Sequence, residues 1–186
     1  MTLPRRIEGY AIVSADGMLA DASGVMPDVL KIPGDQRFFE QGLAGVDAVV
    51  HGAHSHEQQA RSHLRHRLIL TRRVAALAPD PSNPKALLWN PAGASFADAW
   101  TALGIGEGIL GVIGGTDVFG MFLPRYDVFY LSHAPHVRLP GGRPVFPGVP
   151  ARTPDEILAS HGLVPGAGQV LDAAHDATVV SWRRPS

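Results

Sequence analysis

The chain has 186 residues, 45% of them hydrophobic and 18% charged, and a formal net charge of −1. That balance predicts one globular domain with a real core and gives no electrostatic case for binding nucleic acid or an anionic membrane. Cysteine is absent, which excludes disulfides, a thiolate nucleophile and zinc–sulfur sites. No window approaches the roughly 20 apolar residues of a membrane span, and residues 1–17 carry two arginines without the long apolar core of a signal peptide, so a soluble cytoplasmic protein is expected.

In chain order, residues 7–13 predict a first strand, followed by the turn signal Asp16-Gly17. Pro33-Gly34-Asp35 opens a short helix with Phe38 or Phe39 facing inward, and Asp35 at its start has the plain role of a helix cap as one alternative. Residues 46–50 form an apolar strand that ends at His51-Gly52. A helix is expected to start over 53–57, with Gly52 permitting close approach. His51, His54 and His56 lie near one another, but no carboxylate cluster or H-E-x-x-H spacing accompanies them, and no metal site is expected. A third strand spans 67–71 and runs into Arg72-Arg73, whose simplest role is a solvated basic patch.

Residues 79–84, PDPSNP, and the proline- and glycine-rich 139–150 read as loops. Residues 86–89 form another strand, and 95–103 a helix with a Ser95-to-Asp98 capping box and an apolar side of Phe96, Ala99, Trp100 and Leu103. Residues 106–111 match G-x-G-x-x-G but follow a helix and enter a strand, the reverse of a dinucleotide fingerprint. The run 109–113 suits a buried strand, Gly114-Gly115 ends it, and Thr116 and Asp117 open a helix that Pro124 closes before a strand over 126–131. Paired glycines at such a junction let the backbone approach a bound group, which predicts a phosphate or pyrophosphate there. Thr153-Pro154-Asp155-Glu156 is a capped helix start, and 169–171 with 178–183 predict a closing antiparallel hairpin.

The segment VIGGTDVFGMFLPRYDVFYLSH, 112–133, resembles the cofactor-binding segment of the dihydrofolate reductase superfamily, which includes the reductase domain of riboflavin biosynthesis. The resemblance covers residues 7–147, and the rest only by general layout. It implies a three-layer α/β fold: a mainly parallel central sheet with helices on both faces, adjacent strands from 46–50, 109–113 and 126–131, and an antiparallel C-terminal hairpin. It also implies a cofactor, NADPH, held by Gly52, His54, Ser55, Thr71, Arg72, Gly114, Gly115, Thr116 and Asp117, often with a cis peptide between the paired glycines. Arg72 would take the 2′-phosphate, supplying charge that Ala53 lacks where dihydrofolate reductases usually carry arginine.

The P-x-D-x-x-x-F pattern of dihydrofolate reductases, matched by Pro33, Asp35 and Phe39, implies that Asp35 is the catalytic acid and that Phe39 packs on the substrate ring. Met26-Pro27 matches the loop that closes over substrate, although Asp28 stands where a tryptophan is typical, and Ser132 lies near the substrate by analogy. Asp16-Gly17, residues 47–53 and residues 141–147 look closer to the riboflavin-type reductases, while 186 residues leave no room for the zinc deaminase often fused to them. The expected function is an NADPH-dependent reductase acting on a small pteridine- or aminopyrimidine-type heterocycle, as a possible homodimer. The alternative is a catalytically silent nucleotide- or partner-binding domain that keeps the fold.

Overall fold

Alternation along one strand decides the layering. In β1 (Arg6–Ser14) the side chains of Ile7 and Val13 enter the large apolar core, while Glu8, Tyr10 and Ile12 point to the opposite side. On that second side Tyr10 meets Phe38 and Phe39 of helix α1 (Pro33–Ala44), with ring centroids 6.3 and 6.0 Å away. The computed structural model describes residues 2–55 and 61–186.

The remaining strands are β2 (Met18–Ala20), β3 (Ala48–Gly52), β4 (His66–Leu70), β5 (Leu77–Asp80), β6 (Asn83–Trp89), β7 (Ile109–Val112), β8 (Val128–Ala134), β9 (Arg143–Pro144), β10 (Val164–Pro165), β11 (Gln169–Asp172) and β12 (Ala177–Arg183). Among the described residues ten strands share one sheet in the order β10-β12-β8-β1-β7-β3-β4-β6-β5, with β11 also paired to β12, and β2 pairs β9 apart from it. The central pairs from β8 to β6 are parallel, and both flanks are antiparallel. Strands 46–50 and 109–113 are neighbours as expected, but β1 lies between β7 and β8, so 126–131 adjoins them only through the first strand. Sequence order says little about such crossovers.

Helices α2 (Phe96–Leu103), α3 (Thr116–Met121) and α4 (Pro154–Ser160) cover the first face, and α1 covers the second. Gly111 shows the division. A Cβ there would meet Leu43 of α1, whereas its neighbours Leu110 and Val112 join Trp100, Phe119 and Phe129 in the large core. Phe129, Trp100 and Phe119 are almost wholly buried, each worth about 1.5–3 kcal/mol in apolar transfer. This is the three-layer α/β architecture the resemblance implied, with the β11–β12 hairpin closing one edge.

Several local expectations change. Residues 79–84 are the tip of the β5–β6 hairpin rather than a free loop, because Asp80 pairs with Asn83 across a two-residue turn. Its prolines are tolerable at a sheet edge, where a missing N–H costs nothing. The 139–150 loop contains β9, which clamps β2. At the start of α2 the Ser95 hydroxyl accepts from the Asp98 N–H, but the return bond of a capping box is not made; at α4, Thr153 and Glu156 make both. Glutamate is one methylene longer than aspartate, and that reach closes the box. Ala53 and His54 form a turn; the rest of the helix expected over 53–57, with His56, lies outside the described residues apart from Ser55. Among the described residues no helix is long and apolar enough to cross a membrane.

Candidate active site

The parallel strands β1, β3, β4, β7 and β8 run the same way, so their C-terminal ends form one rim, the usual ligand-binding edge of such sheets. Gly52, Thr71, Gly114 and Ser132 all lie along it.

Asp35 occupies the third position of α1, since the helix begins after Ile32 and Pro33 takes its first turn. It is therefore not the N-cap. The residue is 6% exposed, and the Ser132 hydroxyl of β8 favours its ionised form. Burial raises the carboxyl to about 6, and the Ser132 hydroxyl holds it back only in part. Ser132 stands opposite Ile12 in the parallel ladder, on the α1 face of the sheet. Ile12 belongs to a small second apolar cluster with Leu30, Ile32, Ala134 and Ala177, and Met26 packs against it. The acid is thus buried towards the strand ends, and the loop bearing Met26-Pro27 packs on the apolar cluster next to Ser132's partner Ile12. That loop is stapled by Asp21, whose side chain accepts from the N–H groups of Ser23 and Val25 at 2.9 and 3.1 Å.

Phe39 lies one helical turn beyond Asp35, edge-on to Tyr10 and half-buried. Beneath it the sequence reading missed a polar cluster. The Glu8 carboxylate pairs with the Arg6 guanidinium at 2.6 Å and accepts from the Tyr10 hydroxyl at 2.6 Å, and Tyr10 stacks on Tyr130 at 4.9 Å. Burial, then the Glu8 carboxylate, push the Tyr10 hydroxyl far above its usual range. A charged pair two residues apart on a strand is the signal that could have revealed it. His133, next to Ser132, points to the other face of β8, where burial lowers its ring below the ordinary histidine value against a partial opposing effect of Asp155.

The second half of the rim is built of backbone. The Gly114-Gly115 peptide is cis, as the resemblance implied, and the Gly52 N–H donates to the Gly114 carbonyl at 2.9 Å. A Cβ on Gly115 would stand 3.3 Å from the Ser55 hydroxyl, and one on Gly52 would stand 3.9 Å from the Gly115 nitrogen. Gly52, Ser55, Gly114 and Gly115 are thus brought together as a shallow cradle that side chains would fill. Thr71 continues β4 past Leu70, which stands opposite Gly52. Arg72 follows, exposed, and among the described residues its guanidinium makes no hydrogen bond or ion pair. A backbone cradle with one hydroxyl, plus a free guanidinium one strand away, fits a dinucleotide pyrophosphate and a further phosphate.

Three expected cofactor contacts fit less well. The Thr116 hydroxyl is already used, donating to the Pro144 carbonyl at 2.5 Å. Asp117 is exposed in the first turn of α3, where a carboxylate suits the helix dipole but repels a phosphate. His54 is exposed on the turn after Gly52. Among the described residues no group of three or more histidines and carboxylates could hold a metal.

No protein-family model matches the sequence, and no curated protein matches it. Solved structures do match in fold. The chain is similar to a dihydrofolate reductase from Enterococcus faecalis complexed with NADP(H) and RAB-propyl, with a TM-score of 0.67 and 17% identity over 100% of both chains. It is similar to a putative riboflavin biosynthesis protein from Shewanella sp. PV-4, with a TM-score of 0.65 and 18% identity over 97% of this chain and 99% of that one. A third match is a Thermotoga maritima diaminohydroxyphosphoribosylaminopyrimidine deaminase/5-amino-6-(5-phosphoribosylamino)uracil reductase, with a TM-score of 0.64 and 17% identity. There 98% of this chain spans 57% of the bifunctional one. The protein therefore has the dihydrofolate reductase-like fold. Identities of 17–18% carry the fold and not the activity.

Proposed function

We propose that this chain is an NADPH-dependent reductase of a small, electron-poor nitrogen heterocycle of the pteridine or aminopyrimidine type. The observation that carries this reading is Asp35: a carboxyl buried beside Ser132 of β8, whose strand ends on the rim, and raised to about 6. A binding module gains nothing from a carboxyl held in so unfavourable a place, whereas acid–base chemistry near neutrality needs one.

NADPH fits the backbone of Gly52, Gly114 and Gly115 and the Ser55 hydroxyl, with Arg72 on its 2′-phosphate; when bound it supplies the hydride. The chain's own part is the proton and the geometry. Asp35 holds an N–H edge of the heterocycle and, when protonated, favours the protonated ring nitrogen of the C=N bond being reduced. Ser132 fixes the carboxyl's orientation through its hydroxyl. Phe39 and Met26 flank the ring plane, and the loop carrying Met26 keeps water out. A dihydrofolate reductase in complex with NADP(H) among the fold neighbours supports the cofactor, and the riboflavin biosynthesis protein and the aminouracil reductase among them support an aminopyrimidine.

The test is to screen dihydrofolate, dihydrobiopterin and the aminouracil ribose phosphate for NADPH oxidation, with Asp35→Asn beside the wild type. The reading requires one of them to be turned over and the variant to lose that turnover while still binding NADPH. An asparagine variant as fast as the wild type would remove Asp35 from the chemistry.

A further inference from the structure

The helix that carries Asp35 has no cap of its own. Ile32 precedes it in extended conformation, and its side chain has no polar atom with which to satisfy the orphan N–H groups of the first turn. The missing acceptor comes from the far end of the chain. Asp172, at the end of β11, accepts the Gly34 N–H at 3.1 Å across a sequence separation of 138 residues. Gly34 is the residue immediately before Asp35.

The approach is unusually close. A Cβ on Gly34 would lie 2.0 Å from the Leu171 carbonyl oxygen, so only glycine lets the hairpin lie directly on the helix start. The hairpin is shaped for it. Its register shifts between Val170 and Asp172, and Asp176 takes the left-handed conformation at the tip with φ of 52°. Asp172 is itself held from outside, since its other oxygen lies 2.9 Å from Nδ1 of His175, and its side chain is only 12% exposed. The His175 bond and then the Gly34 N–H keep its carboxyl below the ordinary aspartate value, so it is charged whenever Asp35 titrates. A second tie, from Asp176 to His136 at 2.6 Å, anchors the tip to the turn after β8, the strand that bears Ser132. That pair is exposed and adds little energy by itself.

We infer that Asp172 is a positioning residue: by capping α1 at Gly34 it holds Asp35 against Ser132 in the dry geometry that the proposed chemistry uses. The inference rests on the reading of Asp35 as the working acid, but it makes a statement about Asp35 that needs no substrate. Without the cap the first turn of α1 frays, water reaches the carboxyl, and Asp35 titrates as an ordinary aspartate.

The experiment is a site-resolved titration of the Asp35 carboxyl by carbon-detected NMR in the free protein, for the wild type, Asp172→Ala and Asp172→Asn. The wild type should titrate near 6. Asp172→Ala should bring the midpoint down by about one unit or more. Asp172→Asn, which keeps an oxygen for the Gly34 N–H and removes the charge, should stay within about 0.3 unit of the wild type. If alanine leaves the midpoint in place, or asparagine lowers it as far as alanine does, the capping account is wrong; the latter outcome would make Asp172 a distant charge only. If Asp172→Ala does not fold, His175→Ala frees the same carboxylate from the surface and should lower the Asp35 midpoint measurably; no movement there also overturns it. Failure of the NADPH-oxidation screen would leave these midpoints untouched, so the two ideas fail separately.

Discussion

The two faces of the sheet are built on opposite plans. Under α2, α3 and α4 the strands present Ile7, Leu110, Val112, Phe129 and Leu131 to Trp100, Phe119 and Ile157, an apolar packing with few polar atoms to satisfy. Under α1 the same strands present Glu8, Ser14, His51, Arg67 and Ser132, and α1 adds Asp35; among the described residues these six are the buried polar and charged side chains. One backbone therefore carries a face that stabilises and a face that is costly to bury. Buried polar groups persist where every one has a partner or a task. Glu8, Ser14, His51 and Arg67 have structural partners within the protein. Asp35 has Ser132, which offsets its burial only in part, and so it is the group on that face that the proposed reaction uses.

The contrast can be broken at its strongest point first. Asp35→Asn should lower kcat by about 10²–10⁴, the usual contribution of a positioned acid or base, with NADPH affinity preserved. In the wild type, turnover should fall as pH rises through about 6, where Asp35 loses its proton, and the variant should lose that limb. A pH–rate profile of both proteins checks this. On the opposite face, Phe129→Ala should cost about 3–5 kcal/mol of stability by leaving a cavity, read from urea unfolding. Any loss of activity there should follow the loss of folded protein.

At the rim, Arg72→Ala should weaken NADPH by about 1.5–3 kcal/mol, the range of a charge-assisted hydrogen bond, and leave NADH nearly unchanged. Equal losses for both cofactors would move the phosphate elsewhere. The smallest effect has the opposite sign. A carboxyl whose folded value is raised holds its proton longer folded than unfolded, so stability falls as pH rises from the unfolded value of 3.8 through about 6. Removing that charge by Asp35→Asn should therefore stabilise the protein by about 1–3 kcal/mol near neutrality and by almost nothing below about pH 4. Denaturation at both pH values would show it, and a variant equally or less stable near neutrality would mean that Asp35 is well solvated.

What could be read in the sequence follows the same division. The apolar face announces itself: strand β7, the paired glycines, α3 and the alternating β1 and β8 all carry local patterns, and so does the capping box of α4. The second face is legible only where a spaced motif exists, as in Pro33, Asp35 and Phe39. The Ser132–Asp35 pair, the Glu8–Tyr10–Tyr130 cluster and the Asp172 cap join residues that nothing in their local sequence links. Tertiary contacts of that kind are set by strand order, and the place of β1 between β7 and β8 was the part of the order that periodicity could not supply. The β5–β6 hairpin was hidden for another reason: its prolines sit at an edge where they do no harm, so a loop signal masked a strand.

The central claim is that this rim holds NADPH. Titrating the protein with NADPH and following nicotinamide fluorescence tests it without any substrate. The account predicts saturable binding at about 1–100 µM, tighter for NADPH than for NADH. No binding of either cofactor up to about 1 mM would contradict it and leave a domain that keeps the fold without the reaction.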